Sequence, residues 1–177
     1  SFVTALDPKG MLQLYTDFPT QCETALRIAK EVPLPFGGKP DNVVLTGMGG
    51  SAAGGDFVRA IVDSHGKVPF LVNRDYTMPN WVGSGTLVFA TSYSGNTEET
   101  IAAYTQAKKA GASIIVVTSG GKLAEMAKAD GFPCIIIPGG QPPRTALGYM
   151  LIPVVVACEQ IGLIPAQDYD ALMVHIR

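Results

Sequence analysis

The feature that most limits how this chain can fold is a series of short apolar, β-branched runs that alternate with longer segments of helical character. The runs predicted as strands are Asn42–Thr46, Pro69–Asn73, Thr86–Ala90, Ser113–Thr118 and Cys134–Ile137. The fourth of these is almost wholly apolar, and a strand that is apolar on both faces belongs in a parallel sheet covered by helices. The chain is therefore expected to be an α/β protein.

The alternation of strands and helices predicts a three-layer αβα sandwich with a five-stranded parallel sheet, an arrangement like that of flavodoxin. The expected strand order is 2-1-3-4-5, which places the topological switch between the first and third strands. Open parallel sheets bind ligands at the carboxyl edge of such a switch. We therefore expect the residues that follow the first and third strands to face one crevice.

The length of 177 residues suits one domain with an extension. Residues 1–38 are expected to form an amino-terminal helical extension and a Pro/Gly linker, with helical spacing from Met11 to Val32. Residues 39–164 are expected to form the α/β domain. Residues 165–177 are amphipathic and contain no stop signal, so they are expected to begin a further helix.

The third predicted strand runs into a loop rich in hydroxyl groups, Thr91–Thr100. Ser92, Ser94 and Thr97 surround a single glycine, and Asn96 precedes a glutamate at the spacing of a helix N-cap box. The free N–H groups at a helix N-terminus carry about half a positive charge, and hydroxyl groups can donate further bonds to phosphate oxygens. The loop predicts an anion site. The alternative is an ordinary capped helix whose serines satisfy the loop backbone.

The first predicted strand runs into the segment from Gly47 to Ala52, and a helix is expected from Ala52 to Val62. The segment satisfies the spacing G-x-G-x-x-[GA] of dinucleotide sites. That spacing alone is weak evidence. A dinucleotide would also need small apolar residues after the third strand, where the hydroxyl-rich loop stands instead. The two loops together favour a terminal phosphate, and a Walker A loop is excluded because no Gly-Lys-Ser/Thr follows at the required spacing.

Composition limits the partners of the chain. The 13 basic and 15 acidic residues give a formal net charge of −2 without a Lys/Arg cluster, so nucleic acid is not an expected partner. Cys22, Cys134 and Cys158 are odd in number and widely spaced, which predicts reduced thiols, no zinc site and a cytoplasmic location.

The apolar run Ala146–Cys158 is shorter than the roughly 20 residues of a membrane helix. It is expected to belong to a helix from about Thr145 to Ile161, buried against the sheet or a second subunit.

Three segments resemble the signatures of the bifunctional phosphoglucose/phosphomannose isomerases, which belong to the sugar isomerase (SIS) domain superfamily. These segments are Gly47–Ser51, Ser92–Thr100 and Pro142–Tyr149. The second signature is shared widely by SIS domains, and the first and third narrow the resemblance to the bifunctional isomerases. The resemblance covers nearly the whole chain. It implies interconversion of glucose 6-phosphate or mannose 6-phosphate with fructose 6-phosphate, without a cofactor or a metal.

The resemblance also implies which residues form the site. Those that would bind substrate are Gly49, Gly50, Ser51, Ser92, Ser94 and Thr97. The first three would line the sugar pocket, and the last three would hold the phosphate. Arg144 would stabilise an enediolate, and a fixed guanidinium suits the negative charge that a 1,2-proton shift creates. The alternative for Arg144 is a surface side chain extending from a Pro-Pro turn.

In the resembled family, two SIS halves form one chain, and the glutamate base and ring-opening histidine come from the second half. The chain is therefore expected to be an amino-terminal half, active only with its carboxyl-terminal SIS half and as a homodimer. His65, Glu159 and His175 match no catalytic motif and are expected to be structural. The alternative from another class is a free-standing SIS module that senses a sugar phosphate as a regulator.

Overall fold

A computed structural model of the chain describes residues 18–169, without the side chain of Arg144. The elements are α1 (Phe18–Glu31), β1 (Asn42–Thr46), α2 (Gly49–His65), β2 (Phe70–Asn73), β3 (Thr86–Ser92), α3 (Glu98–Lys109), β4 (Ser113–Thr118), α4 (Gly121–Asp130), β5 (Cys134–Ile136), a 3-10 turn (Pro143–Thr145) and α5 (Leu147–Ile161). The part of the predicted lead-in helix before Phe18 lies outside the described residues. So does most of the helix predicted to begin at residue 165.

The strands form one parallel sheet in the order β2-β1-β3-β4-β5, so the predicted αβα sandwich and its strand order are confirmed. Strand β1 lies beside β3, with Thr46 opposite Ala90 at the end of the pairing. All seven residues of β3 are buried, which explains why that strand shows no alternation of polar and apolar residues. Because β1 and β3 flank the switch, their carboxyl ends open on the same edge of the sheet.

Helices cover both faces of the sheet, and alternate residues of β3 point into the two cores. Phe89 packs on one face with Val155 of α5. Val88 packs on the other face with Tyr104 of α3. Helix α1 lies against α5, where Ile152 is buried among the apolar side chains of α1. The amino-terminal helix is thereby fixed to the domain through α5.

Helix α5 is buried as predicted. Leu151, Val154, Val155 and Cys158 are each at most 1% exposed, because the sheet and α1 cover the helix from two sides. The helix begins at Leu147 rather than at the predicted Thr145, since the preceding residues form the 3-10 turn. None of the helices within residues 18–169 combines the length and apolar character needed to cross a membrane.

Two predicted boundaries next to the sheet edge are wrong. Strand β3 continues through Ser92 rather than ending at Ala90, because its last two residues still pair with β4. Helix α2 begins at Gly49 rather than at Ala52. Gly49 takes a φ of +54°, a conformation that glycine adopts without strain, and the chain can therefore turn from strand to helix within two residues.

Candidate functional site

The glycine-rich segment and the hydroxyl-rich loop meet at the carboxyl edge of β1 and β3. A Cβ atom placed on Gly47 would lie 2.5 Å from the hydroxyl oxygen of Thr91. The Thr91 hydroxyl donates a hydrogen bond to the carbonyl of Thr46 at 3.0 Å. Only a residue without a side chain allows this approach. The residue that follows β1 is therefore in contact with the carboxyl-terminal end of β3.

The turn that precedes α5 reaches the same place. A Cβ atom on Gly50 would lie 3.8 Å from the carbonyl oxygen of Pro143, so the start of α2 and the 3-10 turn are in contact. The backbone N–H of Gln141 donates to the hydroxyl of Tyr93 at 3.1 Å. The turn thus contacts both loops. It carries the backbone of Arg144, whose side chain lies outside the described part of the structure.

The hydroxyl groups of the loop are bonded to one another and to the loop backbone. The Ser92 oxygen lies 2.8 Å from the Thr97 hydroxyl oxygen and accepts the N–H of Gly95 at 3.0 Å. The Ser94 oxygen accepts the N–H of Asn96 at 3.1 Å. Ser92 is buried, whereas Ser94 is exposed. A hydroxyl that accepts one bond still has its own hydrogen to donate, so Ser94 can serve an incoming anion.

The loop after β4 holds the hydroxyl-rich loop in place. The carbonyl of Tyr93 accepts the N–H of Ser119 at 3.0 Å, and the carbonyl of Gly95 accepts the N–H of Leu123 at 2.8 Å. Gly95 has a φ of +74°, and a Cβ atom there would overlap the carbonyl oxygen of Gly120. The conformation is therefore built before any ligand arrives, which lowers the cost of binding one.

The predicted N-cap of α3 is wrong. Helix α3 begins at Glu98, so Thr97 rather than Asn96 occupies the N-cap position, and its side chain makes no capping bond. The Asn96 side-chain oxygen instead accepts the N–H of Lys122 at 3.0 Å, in the first turn of α4. The asparagine therefore caps a neighbouring helix. The start of α3 keeps the uncapped character that suits it to anion binding.

The start of α2 adds a second helix N-terminus to the crevice. Gly49, Gly50 and Ser51 form its first turn, entered through Met48, and no side chain caps it. The positive ends of the α2 and α3 dipoles therefore lie beside each other at the switch. Two uncapped helix starts leave unpaired backbone N–H groups, and the small residues at the start of α2 let a ligand approach them closely.

The first turn of α3 also carries acidic residues. The charge of Glu99, followed by burial and the charge of Glu98, raises the pKa of Tyr76 above its ordinary value. Tyr76 therefore remains a neutral hydroxyl over the whole physiological range. The negative potential of the two carboxylates lies towards the β2–β3 loop, where Tyr76 is exposed.

Sequence reasoning missed Gln21. This residue shares the buried face of α1 with Phe18 and Cys22 and is 4% exposed. Its side-chain nitrogen donates to the carbonyl of Thr145 at 2.8 Å. The available signal was a single amide on an otherwise apolar helical stripe, but nothing in the sequence indicates a partner 124 positions away.

The acid-base candidates named from the sequence are not brought to the crevice. His65 ends α2, a helix of 17 residues that starts at the site, and is thus about 25 Å away along the helix. Glu159 accepts the N–H of Gln167 at 3.1 Å and the hydroxyl of Tyr169, which fits its expected structural role. His175 lies outside the described residues. The part of the chain that the structure describes therefore places no histidine at the site.

Neither a metal-binding cluster nor a disulfide is found among residues 18–169. Residues 18–169 contain no group of three or more His, Cys, Asp or Glu side chains placed to hold a metal ion. The thiols of Cys22, Cys134 and Cys158 are free, as predicted. Burial raises the pKa of Cys158 to about 12 and that of Cys134 to about 11, so these thiols stay protonated and unreactive at neutral pH.

A surface cavity of about 220 Å³ opens elsewhere, at the amino-terminal edge of the sheet. Its lining includes Lys39, Asp41 and Thr86, which lie at or just before the first residues of the strands. The glycine-rich segment and the hydroxyl-rich loop lie at the opposite edge. Concavity alone therefore does not locate the candidate site, whereas the helix starts and hydroxyl groups do.

Comparisons with known proteins show which family the chain is similar to. The family model described as the SIS domain matches residues 39–140. The bifunctional phosphoglucose/phosphomannose isomerase of Caldicellulosiruptor bescii is 48% identical over 89% of this chain and 47% of its own length. The isomerase of the same name from Thermoplasma volcanium is 48% identical over 67% of this chain and 36% of its own length. The chain spans about half the length of the curated relatives it matches.

Solved structures support the fold alone. The C-terminal domain of glucosamine-fructose-6-phosphate aminotransferase from Francisella tularensis superposes with a TM-score of 0.65 at 15% identity. The superposition covers 92% of this chain and 51% of that one. At such low identity the likeness carries no information about the reaction. It agrees with the strand order and layers described above.

Proposed function

Because this chain belongs to the SIS domain family, we propose that it is the sugar-phosphate-binding, amino-terminal half of an aldose-ketose isomerase. The enzyme interconverts glucose 6-phosphate or mannose 6-phosphate with fructose 6-phosphate. The names of the relatives from Caldicellulosiruptor bescii and Thermoplasma volcanium support this substrate class. They also favour an isomerase over a regulator that only senses the sugar phosphate.

The observation that carries the proposal is the meeting of three segments at one sheet edge. Gly47 lies against Thr91, which joins the glycine-rich segment to the third strand. Tyr93 accepts a hydrogen bond from Gln141, which joins the hydroxyl-rich loop to the turn with Arg144. A sugar phosphate placed here would have hydroxyl donors for its phosphate, and the backbone of Arg144 would lie close by.

The hydroxyl-rich loop holds the phosphate. Ser94 is exposed and free to donate, and Thr97 stands at the uncapped start of α3. Ser92 is buried behind them and fixes Thr97 through the 2.8 Å contact between their oxygens. A hydrogen bond to a charged group is worth about 1.5–3 kcal/mol. Several such bonds, together with the helix dipole, are enough to anchor a small dianion.

The first turn of α2 receives the sugar. Gly49 and Gly50 present backbone without side chains, so hydroxyl groups of a sugar can approach the N–H groups closely. Ser51 adds a half-buried hydroxyl at the same place. Because Gly50 lies against Pro143, the first turn of α2 is beside the backbone of Arg144, the residue proposed to act in catalysis.

Arg144 stabilises the charge that develops when a proton moves between C1 and C2. Such a shift passes through an enediolate with negative charge on two oxygens, and a planar guanidinium can bond both. Arginine cannot itself take the proton, because its pKa stays above about 12. The base and the acid that opens the sugar ring are proposed to come from the carboxyl-terminal half and from the partner subunit of a homodimer.

The natural full-length protein that contains these residues provides the test. Incubation with glucose 6-phosphate or mannose 6-phosphate should yield fructose 6-phosphate, measured by a coupled assay, and Arg144→Ala should abolish most of the turnover. Tight binding of sugar phosphates without turnover would favour the regulator instead. Tight binding of NAD would favour the dinucleotide alternative that the glycine spacing raised.

A further inference from the structure

We propose that Gln21 of α1 is a positioning residue that holds the turn carrying Arg144. This inference rests on the proposed function, because it gives Arg144 a catalytic role. Gln21 lies outside the segment matched by the family model, residues 39–140. The proposal therefore extends the catalytic machinery to the amino-terminal helix.

The contact is direct and buried. The Gln21 side-chain nitrogen donates to the carbonyl of Thr145 at 2.8 Å, and Thr145 directly follows Arg144. Gln21 is 4% exposed, so solvent does not compete for this bond. The bond joins the amino-terminal helix to a carbonyl at the end of the 3-10 turn.

The two ends of the Gln21 amide have different surroundings. Its side-chain oxygen is buried without a hydrogen-bond partner, a feature it shares among the described residues only with the Thr100 hydroxyl. Leaving a buried acceptor unpaired is unfavourable, and an apolar residue of similar size would avoid that loss. The benefit of the amide is therefore the bond made by its nitrogen.

The turn is held from its other side as well. The Gln141 N–H donates to the Tyr93 hydroxyl at 3.1 Å, so the start of the turn is fixed by the hydroxyl-rich loop. Within the turn, the N–H of Thr145 donates to the carbonyl of Pro142 at 2.9 Å. With its start tied to the loop and its end tied to Gln21, the backbone at Arg144 has little freedom to move.

The approach of α1 depends on Gly148. A Cβ atom at Gly148 would lie 3.2 Å from the Cβ of Gln21, 3.2 Å from the sulfur of Cys22 and 3.3 Å from the ring of Phe18. These distances are tighter than ordinary packing, so an added methyl would displace the facing side chains of α1 by a few tenths of an ångström. Gly148→Ala therefore offers a second way to loosen the Gln21 bond without changing Gln21.

The first experiment measures Gln21→Met in the natural full-length protein. We expect kcat to fall roughly tenfold, a change of about 1.4 kcal/mol in the barrier, with KM nearly unchanged because the hydroxyl-rich loop is intact. The thermal midpoint should change little, because the loss of the bond to the Thr145 carbonyl is offset by removal of the unpartnered oxygen. A lower midpoint with an unchanged kcat would mean that Gln21 is merely structural. Gln106→Met is the matched control, since Gln106 joins a helix to a loop backbone away from the site.

A double-mutant cycle tests whether Gln21 acts through Arg144. In an Arg144→Ala background, Gln21→Met should have no further effect on the residual kcat, because no guanidinium is left to position. Gly148→Ala should reproduce the kcat loss of Gln21→Met in the wild-type background. If Gln21→Met lowered kcat by the same factor with and without Arg144, the proposal would be overturned.

Hydrogen-deuterium exchange separates failure of this inference from failure of the proposed function. If the wild type turns over no sugar phosphate, the isomerase proposal fails, but exchange still reports on the turn. Gln21→Met should speed exchange in residues 141–146 and leave residues 92–97 as they are in the wild type. Unchanged exchange in residues 141–146 would overturn the positioning role whatever the activity.

Discussion

The hydroxyl oxygen of Tyr93 lies 3.1 Å from the backbone nitrogen of Gln141 and accepts its hydrogen. Tyr93 belongs to the loop proposed to hold the phosphate, whereas Gln141 lies two residues before the turn that carries Arg144. The backbone carbonyl of Tyr93 accepts the N–H of Ser119, which fixes the backbone of the tyrosine. Its side-chain hydroxyl supports the segment that leads into the turn. The proposed phosphate site and the proposed catalytic arginine are thus joined by one side chain.

The first prediction removes that hydroxyl. Tyr93→Phe keeps the ring and deletes one hydrogen bond, worth about 0.5–1.5 kcal/mol. We expect kcat of the full-length protein to fall by a factor of roughly three to ten, with KM little changed, as measured by steady-state kinetics. Tyr104→Phe is the control, because it deletes a tyrosine hydrogen bond to Asp130 on the far face of the sheet. An equal loss of kcat in both variants would contradict the prediction.

The second prediction concerns the phosphate donors. Ser94→Ala and Thr97→Ala should each weaken binding of fructose 6-phosphate by about 1.5–3 kcal/mol, the value of a hydrogen bond to a charged group. Calorimetric titration measures the loss, and thermal melts should show that folding changes much less. Thr105→Ala serves as control, since its hydroxyl bonds the carbonyl of Ile101 on the exposed side of α3. If both loop variants bound fructose 6-phosphate with wild-type affinity, Ser94 and Thr97 would not be phosphate donors.

The third prediction compares two glycines with similar backbone angles. Gly95 and Gly111 have φ values of +74° and +82°, so alanine is strained at either position. That strain costs about 1–2 kcal/mol. A methyl on Gly111 meets open space, whereas one on Gly95 overlaps the carbonyl of Gly120. Gly95→Ala should therefore lower the free energy of unfolding well beyond Gly111→Ala in denaturant titrations, and it alone should abolish sugar-phosphate binding. Equal losses of stability and binding in the two variants would show that the loop can move to accommodate a methyl group at residue 95.

The sheet could be predicted because its signals are local. An apolar run such as Ser113–Thr118 specifies a buried parallel strand by composition alone, and the order of strands follows from general rules of connection. The start of α2 was missed because glycines such as Gly49 disfavour helix interiors, whereas their freedom at positive φ allows a sharp helix entry.

The site could be predicted only where its residues follow one another in the chain. The hydroxyl groups after β3 were found because they lie within one loop. Asn96 satisfied a local capping pattern, yet its partner is Lys122, which is distant in sequence. Gln21 bonds Thr145 across the domain, and a contact of that kind is created by packing. Local spacing identifies candidate groups but not the partners that tertiary structure assigns to them.

The fourth prediction concerns acid. The Asp130 carboxylate accepts bonds from the Lys108 ammonium and the Tyr104 hydroxyl, each at 2.6 Å. The Lys108 bond, followed by the Tyr104 bond, holds the pKa of Asp130 below its ordinary value. A carboxylate whose pKa is lowered by folding stabilises the protein at pH values above its unfolded pKa of about 3.9. This stabilisation is lost as the pH falls through the pKa of the folded state. Asp130→Asn should therefore show a flatter dependence of the unfolding midpoint on pH below about 4, measured by circular dichroism. An unchanged slope would contradict the role of this cluster.

The last prediction concerns residues 1–177 expressed alone. They contain the proposed phosphate loop and sugar turn, so weak binding of hexose 6-phosphates is expected. Turnover needs a base within about 2.6–3.2 Å of the proton's path, and general acid-base help is worth about 10²–10⁴-fold. Arg144 cannot supply it, and His65 stands at the far end of α2. A crevice open to water also weakens each electrostatic contact. A coupled assay should therefore give only background for residues 1–177, with activity appearing when the proposed carboxyl-terminal half is present. Robust turnover by residues 1–177 would reveal a base among them, and Glu98 and Glu99, in the first turn of α3, would be the first to substitute.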